Sequence, residues 1–333
     1  MSTDTAVLAR DLAEILARDL PGPLTVSDLR LLPEPPAAAL LSGGAAGESW
    51  SFDVRDAGAT VHPLLLRRDY PDGRTRNPDL LAGRKDALDR ASEFALLRRL
   101  YAAGAAVPRP VAVPRPDDAL RDCYLVARPE GEITSAHELR TVRQVAAELA
   151  RIHSFTVAEV PFFPQRPLAD RLELVRELLD IGGPPRPALE AGLRWCRDRL
   201  PALGERPMCL VHGDFRPGNF VIGPDGLQAV LGWERAHLGD PAFDLGHACL
   251  PSWHRGSAEF RADFLAAYHA AGGAPVEERD VHFGSVLSTL ITGGIVLSRT
   301  IGFRSGAERT VESAAVGRRI AVLEYDLLAL LDT

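Results

Sequence analysis

The chain has 333 residues, 46% hydrophobic and 25% charged, with a formal net charge of -7. Those proportions exclude a mainly disordered, collagen-like or disulfide-stapled chain and leave one large or two ordinary globular domains. An acidic chain also lacks the basic surface needed to grip a nucleic-acid backbone, so no nucleic-acid partner is expected.

Lys85 is the only lysine, and the richness in Ala, Gly, Pro and Arg reads as coding bias rather than function. Cys123, Cys196, Cys209 and Cys249 form no CxxC pair, which points to reduced, buried thiols in a cytoplasmic protein. Met1–Leu20 shows no signal-peptide pattern. The uncharged stretch Phe283–Ser298 is short for a bilayer span and carries Gly, Ser and Thr. It is read as a buried helix, with no membrane partner.

In chain order, Leu8, Leu12, Ile15 and Leu16 make the apolar face of a first helix, which Pro21-Gly22-Pro23 ends. Ala38–Leu41 reads as a short strand, and Ser42–Ser49 as a turn-forming run with Gly43, Gly44 and Gly47. Trp50, Phe52 and Val54 alternate with Ser51, Asp53 and Arg55, the period of a half-buried strand. His62–Arg68 is a second strand, Asp69–Gly83 a loop, and Asp86–Ala102 a helix with Leu88, Ala91, Phe94, Leu97 and Leu100 inward. Cys123–Ala127 is a buried strand, followed by a turn at Arg128–Gly131. Helical stripes follow at Val142, Val145, Leu149 and Ile152, at Leu172, Val175, Leu178 and Leu179, and at Leu189, Leu193 and Cys196. Strands interrupt them at Cys209–Val211 and in a hairpin from Phe220 to Leu231, and helices then run to Leu331. The expected division is a small α/β lobe over 1–129 and a larger helical lobe over 130–333.

The densest polar cluster is His212-Gly213-Asp214-Phe215-Arg216-Pro217-Gly218-Asn219, set between an apolar strand and the hairpin. An acid and an amide five residues apart in a Gly/Pro loop suit phosphoryl transfer: the acid orients or deprotonates a hydroxyl, and the amide oxygen reaches a phosphate-bound Mg²⁺. A polar surface loop with a capping Asp is the alternative, and the flanking apolar strands count against it.

HGDFRPGNFVI followed by VLGWERAHLGDPAFDLG resembles the phosphotransferase enzyme family that includes aminoglycoside and choline kinases, in particular a bacterial branch similar to the kinase-like domains fused to some acyl-CoA dehydrogenases. The resemblance runs over nearly the whole chain. It implies an α+β, protein-kinase-like bilobal fold, with a small β-rich N-lobe and a larger, mainly helical C-lobe. It implies ATP and Mg²⁺ as cofactors and a small-molecule hydroxyl as acceptor. By position, Asp214 is then the catalytic acid/base and Asn219 a Mg²⁺ ligand. Ser42, Gly43, Gly44 and Ser49 belong to the loop over the phosphates, where glycine lets backbone N–H groups approach anionic oxygens. Arg67 takes the place of the phosphate-contacting basic residue and Glu93 that of its acidic partner, while Val126 to Arg128 form the adenine hinge. His212, Arg216, Asp240 and Asp244 are expected to support the loop by hydrogen bonding. Trp253, His254, Arg255 and Tyr268 are candidates for lining the acceptor cleft.

One position departs from the family pattern. The family reads Asp-Trp-Glu where this chain reads Gly232-Trp233-Glu234, so the carboxylate that would hold Mg²⁺ is missing. If the strand continues through Glu234, residues 232 and 234 share a face and Glu234 replaces it; Asp240 is a second candidate donor. Three functions follow: an ATP-dependent small-molecule kinase, a degenerate relative that binds without efficient transfer, or a metal-independent enzyme using Asp214 as general acid or base. Arg255, Arg299 and Arg304 suit an anionic acceptor as well as an acidic pocket would suit a cationic one, so acceptor identity stays open, as does oligomeric state.

Overall fold

The computed structural model describes residues 4–32, 47–70, 83, 88–133, 139–204, 206–251, 258–306 and 315–332. The predicted strand at 38–41 and Ser42, Gly43, Gly44, Trp253, His254 and Arg255 lie outside these residues.

The first helix, α1 (Thr5–Leu16), starts where Asp4 accepts the backbone N–H groups of Ala6 and Val7. An antiparallel sheet follows, built from β1 (Thr25–Leu31), β2 (Glu48–Arg55), β3 (Val61–Arg68), β4 (Pro110–Ala112) and β5 (Cys123–Ala127) in the order β1-β2-β3-β5-β4. Strand alternation sorts its two faces. Trp50, Phe52, Leu64, Leu66 and Leu125 pack with the apolar stripe of α1. On the other face Ser49 pairs in register with Arg67 and Arg67 with Tyr124, while Ser51 pairs with Leu65 and Leu65 with Val126. This second face looks into the main cleft.

Helix α2 (Arg90–Ala102) begins four residues later than its periodicity suggests. Asp89 is extended and its carboxylate accepts the Ser92 N–H, so the helix starts behind that cap. Ala91 is exposed rather than inward, and Glu93 is buried.

The helical part holds α3 (Leu139–His153), α4 (Leu168–Ile181), α5 (Pro187–Arg199), α6 (Ala242–Ala248), α7 (Ala258–Ala270), α8 (Glu278–Ser305) and α9 (Arg319–Leu331). Short strands set into it are β6 (Glu132–Ile133), β7 (Cys209–Val211), β8 (Phe220–Gly223), β9 (Gly226–Val230) and β10 (His237–Gly239). They form a β6-β8-β9 sheet and a β10-β7 pair, which fix both ends of the loop 212–219. Phe94, Leu97 and Leu100 of α2 share one apolar core with Val145, Leu149 and Phe215, so the helix of the sheet region packs into the helical part. Helices α4, α5, α8 and α9 surround a second core. Helix α8 has an apolar window of bilayer-crossing length, but 89% of that window is buried inside the protein, as befits a core helix.

Candidate active site

The loop between β7 and β8 is held from behind. Asp244, in the first turn of α6, accepts the backbone N–H of His212 at 2.6 Å and of Gly213 at 2.9 Å. His153 Nε2 lies 3.2 Å from the same carboxylate. Burial opposes the charge on Asp244, yet His153 and the backbone donors hold its carboxyl below the usual range. Gly213 is required here: at φ 81° an added Cβ would fall 2.4 Å from the Arg235 carbonyl oxygen.

His212 Nδ1 accepts the Asp214 N–H at 3.1 Å, so Nε2 carries the proton and donates to the Leu231 carbonyl at 2.9 Å. Burial pushes the imidazole pKa down and keeps the ring neutral.

Asp214 is buried at the floor of a cleft of about 870 Å³. Its Oδ1 lies 3.1 Å from Arg216 Nε, 3.4 Å from Arg235 Nη1 and 3.3 Å from His247 Nε2. Its Oδ2 accepts Asn219 Nδ2 at 2.9 Å, and the same amide donates to the Asp214 carbonyl at 2.8 Å. Burial would raise its pKa, but the Arg216 and Arg235 guanidinium groups, with His247, pull it well below the carboxylate range. Asp214 is therefore ionised and acceptor-only, with no proton to donate to a substrate.

Opposite this floor, Arg67 Nη1 donates to Ser49 Oγ at 2.6 Å, and Arg67 Nη2 lies 3.5 Å from Glu234 Oε2. The expected Arg67–Glu93 pair is absent among the described residues. Glu93 instead accepts from Arg90 Nη1 at 2.6 Å and from the Tyr124 hydroxyl at 2.6 Å, because both partners face the buried side of α2. Val126 and Arg128 line the cleft at the end of β5. The Arg128 N–H, however, donates to the Pro63 carbonyl at 2.9 Å, and its guanidinium ties Ser51 and Asp53. Arg128 thus offers the cleft no free amide.

The continuous-strand expectation at Glu234 is also corrected. Strand β9 stops at Val230, Gly232 sits in the left-handed region at φ 81° and ψ 47°, and Trp233–Arg235 form a single 3₁₀ turn. The turn still delivers Glu234 to the cleft. Asp240 does not line it: its carboxylate meets Arg206 Nη2 at 2.8 Å and accepts the Ala242 N–H at 2.9 Å, capping α6. Tyr268 is buried away from the cleft, its hydroxyl 2.8 Å from His153 Nδ1 and accepting the Ala274 N–H at 3.1 Å.

Mg²⁺ prefers oxygen donors not already committed to cations. Here Asp214 is neutralised by Arg216 and Arg235, Glu234 faces Arg67, and Gly232 supplies no donor. Among the described residues no group of three or more His, Cys, Asp or Glu is placed to hold a metal ion. Of the expected donors, Asn219 lines the cleft and turns its amide nitrogen, not its oxygen, to Asp214. The carboxylates beside it are committed to guanidinium groups and do not complete the implied metal site.

Sequence reasoning missed His247 and Arg235 as neighbours of Asp214. His247 lies three residues after Asp244 on α6, a spacing that puts both on the face toward the loop. Arg235 carried no such signal, since only the turn after Gly232 aims it inward.

The model of the phosphotransferase enzyme family matches residues 42–280. The chain belongs to that family. Over 98% of both chains it shares the fold of a candidate aminoglycoside phosphotransferase from Ralstonia eutropha JMP134, with a TM-score of 0.71 and 17% identity. A spectinomycin phosphotransferase solved with ADP and spectinomycin gives 0.64 at 11% identity, over 98% of this chain and 99% of that one. A choline/ethanolamine kinase family protein from Mesorhizobium loti gives 0.62 at 17% identity, over 99% and 95%. These likenesses establish a kinase-like fold, with a small antiparallel sheet region and a helical remainder. Among curated proteins, acyl-CoA dehydrogenase family member 11 of Mus musculus is 25% identical over 197 residues, which are 53% of this chain and 24% of that protein. Family member 10 of the same organism is 41% identical over 66 residues, 19% of this chain and 6% of that protein. The match thus spans a small part of these longer relatives.

Proposed function

We propose that the chain transfers the γ-phosphoryl group of ATP to a hydroxyl of a small molecule. Residues 1–129 serve as the nucleotide lobe, and residues 130–333 carry the catalytic loop and acceptor side. The observation that carries this reading is the ionised Asp214, fixed on both oxygens at the floor of a cleft whose opposite wall presents Ser49 and Arg67. Phosphoryl transfer asks a protein mainly for positioning and charge stabilisation. The acceptor oxygen bonds to the γ-phosphorus, the bond from that phosphorus to the β,γ-bridging oxygen breaks, ADP leaves, and the hydroxyl proton moves toward an Asp214 oxygen. Arg216, beside Asp214 in the cleft, supplies positive charge on the catalytic side. Family membership and neighbours acting on small molecules support this reading. The four free, buried cysteines suit a cytoplasmic setting.

Gly232 supports a second reading, a relative that binds nucleotide or metabolite without efficient transfer. A general-acid role for Asp214 in metal-free chemistry conflicts with its depressed pKa. ADP release from ATP, followed across a panel of hydroxy acids, amino alcohols and aminocyclitols, separates the readings. Acceptor-stimulated release, lost by about a hundredfold or more in Asp214→Asn, is expected for the kinase. ATP binding without release by any acceptor selects the second reading.

A further inference from the structure

We propose that this cleft takes a nucleoside triphosphate without a divalent cation, with Arg67 as the phosphate anchor. The inference rests on the nucleotide reading above and adds how the phosphate charge is met.

Arg67 projects from the cleft face of β3, tethered on one side by Ser49 Oγ at 2.6 Å and on the other by Glu234 at 3.5 Å. A side chain ordered beforehand loses little rotamer freedom when an anion arrives. A guanidinium has five N–H donors in a planar fork, so these two contacts leave donors for phosphate oxygens.

The space a metal-holding side chain would need is closed. A Cβ on Gly232 would lie 2.9 Å from Cγ, Nδ2 and Oδ1 of Asn219. Asn219 cannot swing away without breaking its two hydrogen bonds to Asp214. The two carboxylates at this corner already face cations: Asp214 Oδ1 lies 3.1 Å from Arg216 Nε and Glu234 Oε2 lies 3.5 Å from Arg67 Nη2. A cation placed there would have to displace the guanidinium that the geometry aims at the phosphates.

The test is calorimetric titration of ATP into the full chain, in EDTA and in excess Mg²⁺, with Arg67→Ala and Glu234→Gln alongside and thermal unfolding to verify that each variant folds. The expected dissociation constants in the two buffers agree within about threefold. Arg67→Ala weakens binding in EDTA by about tenfold or more, the scale of one charge-assisted contact. Glu234→Gln tightens it, because a negative charge beside the phosphates is gone. If Arg67→Ala does not fold, the buffer comparison and Glu234→Gln decide. Binding only in Mg²⁺, abolished by Glu234→Gln, overturns the inference and leaves the nucleotide reading standing. A folded Arg67→Ala variant that binds ATP unchanged also overturns it. Absence of ATP binding in both buffers overturns the inference and the nucleotide reading together.

Discussion

Two stretches meet at the floor of the cleft and are held in opposite ways. The loop His212–Asn219 is pinned by groups from its own half of the chain: Asp244 takes its backbone N–H groups, while Arg235, His247 and Asn219 saturate Asp214. The turn Gly232–Arg235 depends on a missing side chain, and its carboxylate is balanced from across the cleft by Arg67 of the sheet. The geometry of Asp214 is therefore settled once the helical part folds. The charge balance at Glu234 is settled only when the two walls come together.

Removing the Asp244 carboxylate attacks the first stretch where it is most committed. Asp244→Ala strips two backbone donors and His153 of their shared buried acceptor, and should cost about 3–5 kcal/mol in urea unfolding. A loss under about 1 kcal/mol would mean that the loop is held by its flanking strands alone.

Acid tests both stretches at once. Asp214, Asp244 and Glu234 have folded-state pKa values below their ordinary 3.8, 3.8 and 4.5, and His212 lies below its ordinary 6.5. The unfolded chain takes up each proton first. The stabilisation is full above the unfolded value and is lost as pH falls toward the folded one. The urea midpoint should therefore decline from near pH 6.5 and steepen below pH 4.5, the ordinary His212 and Glu234 values. The opposite sign holds at high pH. Burial raises the thiols, Cys123 and Cys249 to about 12, so their contribution is full below the ordinary 9.0 and falls as pH rises past it. A midpoint that stays flat from neutral pH into acid would contradict the paired state of these carboxylates.

Gly232→Asp starts in the second stretch and presses on the first through Asn219. Aspartate must adopt a φ near 81° and push against Asn219. The left-handed backbone costs about 1–2 kcal/mol, with any displacement of Asn219 in addition. The variant should melt lower and gain no Mg²⁺-dependent ATP affinity. A variant as stable as its parent, with new Mg²⁺ dependence, would show that the turn is a metal site lacking only its carboxylate.

The sequence made the first stretch legible and the second only in part. Apolar strands around HGDFRPGN put Asp214 and Asn219 in one rigid loop, and the family resemblance of the GDPAFDLG block, not any period, brought Asp244 to its support. Strands β1 and β4 went unread: β1 is mostly exposed and bulged, and β4 has three residues beginning with Pro110. Glu93 was read as the partner of Arg67, since spacing cannot show that Arg90, one helical turn earlier, is already in contact with it. The course of the chain at Gly232 hung on one left-handed residue, which no periodicity encodes.

The smallest expected effect separates a structural carboxylate from a functional one. Asp240 and Glu234 were both candidate metal donors in the sequence, but only Glu234 lines the cleft. Asp240 receives Arg206, which also reaches Asp280 at 2.8 Å, so one guanidinium joins the starts of α6 and α8. Asp240→Asn keeps an oxygen able to accept the Ala242 N–H and removes only the charge facing Arg206. The ion pair is partly exposed, and Asp280 remains to hold the guanidinium, so the stability loss should be about 1 kcal/mol or less. ATP affinity should not move in either EDTA or Mg²⁺, because the carboxylate lies outside the cleft. A change in Mg²⁺ dependence on Asp240→Asn would place a cation at the entrance of α6. Charge balance near the phosphates would then no longer be a matter of Arg67 and Glu234 alone.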